Sequence, residues 1–229
     1  MQNHGNGICT LMYHKISKEA ETKHKNNPYV ISTEKFEEQM KILHDKGFNT
    51  ITLGEMEQYV KGQTQFTKRT VLLTFDDGYK ETYKYAYPIL KKYNLNAAVI
   101  LITNKNTLQH SFLNWKQIKN SRDIFEFASH THNLHFLDSN MNSYLISRPK
   151  DIIIKDLKKS MKLLDTKYFA YPYGQYNSET IEILKEVGFS MAFSTIEGYI
   201  KPFDDIFQLK RIGIYPETST EEFREILKI

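Results

Sequence analysis

Short, nearly continuous apolar runs alternate along the chain with stretches of helical spacing. Ile8–His14 (ICTLMYH), the core of Arg69–Tyr79 (RTVLLTFDDGY), Ala97–Ile102 (AAVILI), Ile124–Ser129 and Tyr168–Tyr171 are runs of the first kind. Bounded by turn signals, they predict strands buried on both faces, as in a parallel sheet. Phe48–Thr52, Phe189–Ser194 and Gln208–Ile214 are further strand candidates. Between them, Ser32 predicts the cap of a helix through Lys46, with Phe36, Met40 and Leu43 on one face and Gly47 as its stop. Gly54–Lys61, Asp151–Asp165, Ser178–Val187 and Ser219–Leu227 read as helices, and Asn114 caps another that carries Trp115 and Ile118. Lys80–Tyr93 is helical in pattern, with Pro88 kinking it or marking its true start. Strands alternating with helices predict an α/β chain, and eight or so strand candidates suit a barrel better than an open sheet. No repeat or boundary divides the sequence, so one domain spanning residues 1–229 is expected.

Two polar stretches interrupt the alternation, Lys15–Ile31 and Leu134–Lys150, and both read as long loops. Loops of that length are uncommon unless functional, so the first is a candidate rim for a binding site.

Candidate chemistry lies where predicted strands end. Val71, Leu72, Leu73 and Phe75 run into Asp76, Asp77 and Gly78. Neighbouring acids at the carboxyl edge of a parallel sheet are costly unless a cation or a proton separates their roles. An Asp-Gly turn would account for the motif structurally. Alternation sends adjacent strand side chains to opposite faces, and Gly78 allows a turn that brings them together. Ser129–His135 (SHTHNLH) packs three of the eight histidines behind another strand. Two imidazoles and a carboxylate make a metal-binding set that leaves positions open for water and substrate. Alternation pairs His130 with His132, whereas pairing His130 with His135 requires a loop that curls back; the spacing allows both. Ala170–Gly174 (AYPYG) is either a Pro-Gly turn holding a packed tyrosine or a rigid wall aiming a backbone N–H into a site.

Composition narrows the field. Hydrophobic residues make up 40% of the chain, enough for a substantial core. The net charge of +4 comes from 31 basic and 27 acidic residues mixed along the sequence, which argues against nucleic acid as a partner. The densest cationic stretch, Lys15–Lys25, also holds Glu19, Glu21 and His24 and reads as a solvated loop. A single cysteine, Cys9, excludes an internal disulfide or a multi-cysteine zinc site, and reads as a core thiol. No apolar run approaches the roughly 18 residues of a membrane span, and MQNHGNG lacks the apolar segment of a signal peptide.

In this order and spacing, TFDDGY, HTHNLH and AYPYG resemble the polysaccharide deacetylases of carbohydrate esterase family 4, the NodB homology domain, from roughly Ile8 to Ile214. The resemblance implies a deformed (β/α) barrel of about seven parallel strands ringed by helices. It also implies removal of acetyl groups from N-acetylated sugars of a polysaccharide, with a divalent metal: Zn2+, or else Co2+ or Ni2+. Carried over by motif, Asp76 is the general base, Asp77, His130 and His135 hold the metal, His132 is a neighbour, and the Tyr173 N–H meets the oxyanion. Tyr79, Trp115, Phe136, Pro172, Tyr173 and Tyr176 lie near the motifs as sugar-stacking or supporting residues.

The departures are informative. Most of the family spaces its two histidines one residue closer, has Arg at the position of Ala170, and carries its general-acid histidine late in the chain. Here no histidine follows His135. The branch that deacetylates biofilm poly-β-1,6-N-acetylglucosamine shares these features and takes its acid from an early strand, which points to His14. Arg211 is the candidate replacement for the absent Arg. The same resemblance implies an extracytoplasmic protein acting as a monomer. Peptidoglycan and chitin-like oligomers are alternative substrates, and an inactive sugar-binding relative is the alternative of another class.

Overall fold

The computed structural model describes residues 7–18, 26–104 and 111–229. MQNHGN and the charged run from Glu19 to Lys25 lie outside them.

In chain order the strands and helices are β1 (Ile8–Tyr13), β2 (Lys15–Ser17), β3 (Val30–Ser32), α1 (Thr33–Asp45), β4 (Asn49–Thr50), α2 (Leu53–Val60) and β5 (Thr70–Phe75). A wide turn at Thr82–Ala86 leads into α3 (Tyr87–Lys92), β6 (Ala97–Leu101), α4 (Trp115–Asn120), β7 (Phe125–Ser129), α5 (Tyr144–Ser147), α6 (Lys150–Leu164) and β8 (Tyr168–Ala170). The chain closes with α7 (Ser178–Val187), β9 (Met191–Phe193), β10 (Tyr199–Ile200), β11 (Ile212–Gly213) and α8 (Thr220–Leu227).

Strands β1, β5, β6, β7, β8 and β9 lie side by side in parallel. The segment Leu209–Gly213 closes the curl. Leu209 bridges Phe193 of β9, while β11 pairs with β1 through Leu11–Ile212 and Met12–Gly213. The first strand therefore neighbours the last, as in a barrel, with helices packed outside. The short strand β10 is antiparallel to β1, and β4 extends the other side of β5.

Period-two alternation decides what faces inward. Val71, Leu73 and Phe75 of β5 pack outward in one cluster with Phe36 and Met40 of α1, Leu90 of α3 and Phe223 of α8. Leu72 packs inward with Ala98, Ala128, Ala170 and Phe193. Thr74 and Asp76 continue the Leu72 face. On β1, Cys9, Leu11 and Tyr13 join the outer cluster, while Ile8 joins the inner one, leaving His14 on its face. Cys9 is a buried free thiol, and burial pushes it up to about 12.

Several helix boundaries follow from capping chemistry visible in the sequence. Ser32 caps α1, and Asn114, Asn177 and Ser219 each close a reciprocal capping box. Pro88 has no N–H for the helical ladder and becomes the second residue of α3. The preceding turn widens there, with the Tyr87 N–H donating to the carbonyl of Thr82. Two expectations are corrected: Leu134–Lys150 contains α5 and the first residue of α6, and Lys15–Ile31 is not loop throughout. Its two ends pair in parallel as β2 and β3, from Lys15–Val30 to Ser17–Ser32. Strands of three residues are too short to show an alternation.

Candidate active site

Five of the parallel strands deliver residues to the site from their carboxyl ends: His14 after β1, Asp76 and Asp77 after β5, His130 after β7, Tyr171 and Tyr173 after β8, and Thr195 after β9. With Lys15, Asn27, Tyr29, Tyr79, His135 and Tyr215 they line a cleft of about 440 Å³. Asn27 and Tyr29 come from the polar stretch read as a binding-site rim.

The acids are separated by backbone geometry. Asp76 continues the inward face, and its N–H donates to the Tyr13 carbonyl. Asp77 and Gly78 then both take positive φ, 70° and 78°. That double left-handed turn brings Asp77 back toward the cleft instead of letting it point outward. A Cβ on Gly78 would stand 2.3 Å from Leu101 Cδ2, so only glycine fits this turn.

Asp76 is buried and held by Arg211, itself fully buried. Arg211 Nη1 donates to Asp76 Oδ1 at 2.7 Å and Nη2 to Oδ2 at 2.8 Å. Its Nε donates to the Ser194 carbonyl at 3.0 Å, and Nη1 also reaches Thr74 Oγ1 at 3.3 Å. Burial alone would raise the Asp76 carboxyl; the charge and hydrogen bonds of Arg211 overturn that and hold it well below the usual carboxylate range. His14 leaves β1 one step beyond the Tyr13–Phe75 pair, level with Asp76 across the two strands. The ring of Tyr29 lies 4.8 Å from that of His14.

Asp77, His130 and His135 converge, with one potential ligand atom from each lying within 4.8 Å of the others. Asp77 Oδ1 is 3.3 Å from His135 Nε2 and 3.9 Å from His130 Nε2. A tetrahedral ion with bonds of about 2.0–2.1 Å spaces its ligand atoms roughly 3.3 Å apart, so the set fits a small divalent cation. His130 Nδ1 lies 2.8 Å from the Ala170 carbonyl. A carbonyl only accepts, so Nδ1 carries the proton and Nε2 keeps its lone pair toward Asp77. Burial, then the neighbouring His135, bring His130 down to about 4, leaving the ring neutral near pH 7.

The AYPYG turn supplies the opposite wall. Pro172 is buried and opens a short turn in which Tyr173 takes φ 58°. The two bonds closing this turn use the N–H groups of Gly174 and Gln175, not that of Tyr173. The Tyr173 ring lies 4.5 Å from that of His135. Tyr79 stacks on Phe112 at 5.1 Å, and burial, then Asp77, push its phenol up.

Four expected neighbours sit elsewhere. His132 faces away from the cleft, with Nδ1 2.8 Å from Thr103 Oγ1, because Thr131 at φ 73° breaks the alternation. Trp115 packs against the outer core. Tyr176 stands behind the wall, stacked on Tyr171 at 4.6 Å and donating to Gln208. Phe136 is exposed and packs on Tyr144. Conversely, Tyr29, Thr195 and Tyr215 line the cleft without having been singled out in the sequence. Thr195 and Tyr215 each follow a predicted strand's last residue, which is the signal that marks them.

This is the layout of a barrel enzyme with its chemistry at the carboxyl edge of its strands. The family description "Polysaccharide deacetylase" matches residues 63–192. The chain is 33% identical over 245 residues to a poly-β-1,6-N-acetyl-D-glucosamine N-deacetylase of Staphylococcus aureus, covering 97% of this chain and 82% of that protein. It is 31% identical to the protein of the same name from Staphylococcus epidermidis, covering 97% and 83%. Among solved structures, it resembles the Streptococcus pyogenes deacetylase PplD in complex with acetate, with TM-score 0.87 and 28% identity over 96% of this chain and 98% of that one. IcaB from Ammonifex degensii gives TM-score 0.83 and 27% identity over 98% and 97%. The chain belongs to the polysaccharide deacetylase family, and its fold is the family's deformed (β/α) barrel.

Proposed function

We propose that this enzyme, read as a single NodB homology domain, is a metal-dependent hydrolase. It removes N-acetyl groups from N-acetylglucosamine residues of a polysaccharide, poly-β-1,6-N-acetylglucosamine being the first choice. The observation that carries the reading is the convergence of Asp77, His130 and His135 beside a separately held second acid, Asp76. The glycan is taken from the names of its staphylococcal relatives.

Asp77, His130 and His135 would hold the ion, with Zn2+ favoured by the imidazole and carboxylate donors and Co2+ or Ni2+ as alternatives. Such an ion supplies Lewis acidity, which makes water acidic near neutral pH and polarises a carbonyl. The protein's own groups do the rest. Asp76, kept ionised by Arg211, takes the proton of the water whose oxygen attacks the acetyl carbon. The Tyr173 N–H, exposed by its left-handed turn, donates to the oxygen that gains charge. His14, level with Asp76, gives a proton to the sugar nitrogen as the C–N bond breaks, leaving acetate and a free amine. Tyr29, Tyr79 and Tyr215 wall the cleft around the sugar. Among the described residues no helix is long and apolar enough to cross a membrane. Polymers of this kind lie outside the cytoplasm, and we place the enzyme there, acting as a monomer.

The test is acetate release from β-1,6-linked and β-1,4-linked N-acetylglucosamine oligomers and from peptidoglycan, with and without a chelator. Release from the β-1,6 oligomer that stops with chelator and returns with metal is expected. Asp76→Asn is expected to retain metal and lose nearly all turnover, and a fully active Asp76→Asn removes Asp76 from the role of base. Absence of acetate release from every glycan would leave a sugar-binding protein.

A further inference from the structure

The two candidate histidine ligands are five residues apart, and the segment between them is held from a distant helix. The His130 N–H donates to the Leu101 carbonyl. The next four amides in succession all go to side-chain oxygens. Thr131 N–H donates to Ser129 Oγ at 3.1 Å, His132 N–H to Asp156 Oδ1 at 2.7 Å, Asn133 N–H to Asp156 Oδ2 at 2.7 Å, and Leu134 N–H to Thr131 Oγ1 at 3.2 Å. Asp156 and Ser160 lie one turn apart on the buried face of α6, and Ser160 Oγ sits 2.7 Å from Ser129 Oγ.

We infer that Asp156 is a positioning residue for the metal site: by gripping two adjacent amides it folds the His130–His135 segment so that both imidazoles face Asp77. Two features separate this from ordinary packing. A carboxylate that is 8% exposed is an expensive occupant of a helix's apolar face, whereas an aliphatic side chain there would serve packing alone. Its two oxygens are also matched one to one with the two N–H groups at the reversal of the loop. Without them, those two amides have no acceptor, and beyond the left-handed Thr131 the segment's own N–H groups up to Leu134 keep only the Leu134 bond to Thr131 Oγ1. The inference rests on Asp77, His130 and His135 being the ligands.

The test is a Co2+ titration of the full chain, read by visible absorption, with Zn2+ affinity taken from chelator competition. The variants are Asp156→Asn and Asp156→Ala, with Asp151→Asn, exposed in the first turn of the same helix, as control. Losing a partner that orients metal ligands commonly weakens affinity roughly 10–100-fold. That loss is expected here in folded Asp156→Asn, with a changed Co2+ spectrum and an unchanged Asp151→Asn. Asparagine keeps the size and one acceptor, so it carries the test if the alanine variant does not fold. Affinity and spectrum equal to wild type in folded Asp156→Asn, with only the unfolding midpoint moved, overturn the inference while leaving the metal site intact. Co2+ uptake that is absent in wild type, or undiminished in Asp77→Ala, overturns the metal-site reading itself and this inference with it.

Discussion

Replacing Arg211 with Met removes the only cation bonded to Asp76 among the described residues and keeps much of the side-chain volume. Arg211 makes four hydrogen bonds from a fully buried position, two of them to the Asp76 carboxylate. Removing one partner of a buried pair typically costs about 3–5 kcal/mol, because the charge left behind has neither water nor counter-ion. In a chain of this size that lowers the unfolding midpoint by roughly 6–20 °C. With Arg211 gone, the burial that it opposes acts unchecked and raises the Asp76 carboxyl. The base is then protonated at pH values where the native enzyme keeps it ionised. Acetate release near pH 7 should fall by about 10²–10⁴, the range of a general base's contribution, and recover in part as pH rises. Combining Arg211→Met with Asp76→Asn should restore stability, since no charge is orphaned, but not activity. The assays are thermal and denaturant unfolding and a pH–rate profile. An Arg211→Met enzyme with native stability and a native profile would refute the reasoning.

Gly78→Ala should lose about 2–4 kcal/mol in denaturant unfolding, combining the left-handed strain of a Cβ with its collision against Leu101; a loss under 1 kcal/mol would contradict the turn's dependence on glycine. His14→Gln should retain bound metal while acetate release drops about 10²–10⁴, and unchanged turnover would take His14 out of the acid's role. At the opposite end of the barrel, burial works against the Glu57 carboxylate, but Lys167, Lys61 and Tyr168 bring it down to about 2. Its folded value lies below the ordinary one. The stability it contributes is therefore complete above about pH 4.5 and lost as pH falls toward 2. The wild-type midpoint should drop more steeply than that of Glu57→Gln across this window, and parallel curves would count against the clamp.

What the sequence made legible was whatever depends on short-range periodicity. His14, Asp76 and His130 each continue the inward face of a strand, so alternation alone points them at a common interior. The helix starts at Ser32, Asn114, Asn177 and Ser219 rest on capping side chains a few residues away. The alternation stops being informative where the backbone turns left-handed. His132 is the clear case, carried away from the cleft by Thr131, and Asp77 is the reverse case, carried into it by its own turn with Gly78. Arg211 and Asp76 are 135 positions apart and meet only because β11 closes against β1. Residue spacing carries no trace of such a contact, and only the family resemblance suggested it. Asp156 was missed because an acid within an amphipathic helix reads as part of the solvated face. Trp115 and Tyr176 were placed by nearness to motifs in the chain, yet one faces the outer core and the other backs Tyr171.

The central claim is that one carboxylate and two imidazoles share an ion beside a second carboxylate that moves protons. X-ray absorption on Zn2+-loaded protein measures it most directly. The account predicts one ion per chain with two imidazole nitrogens and a carboxylate oxygen among its ligands at about 2.0–2.2 Å, the same signal in Asp76→Asn, and its loss in Asp77→Ala. A spectrum without imidazole ligation, or one unchanged by Asp77→Ala, would contradict it.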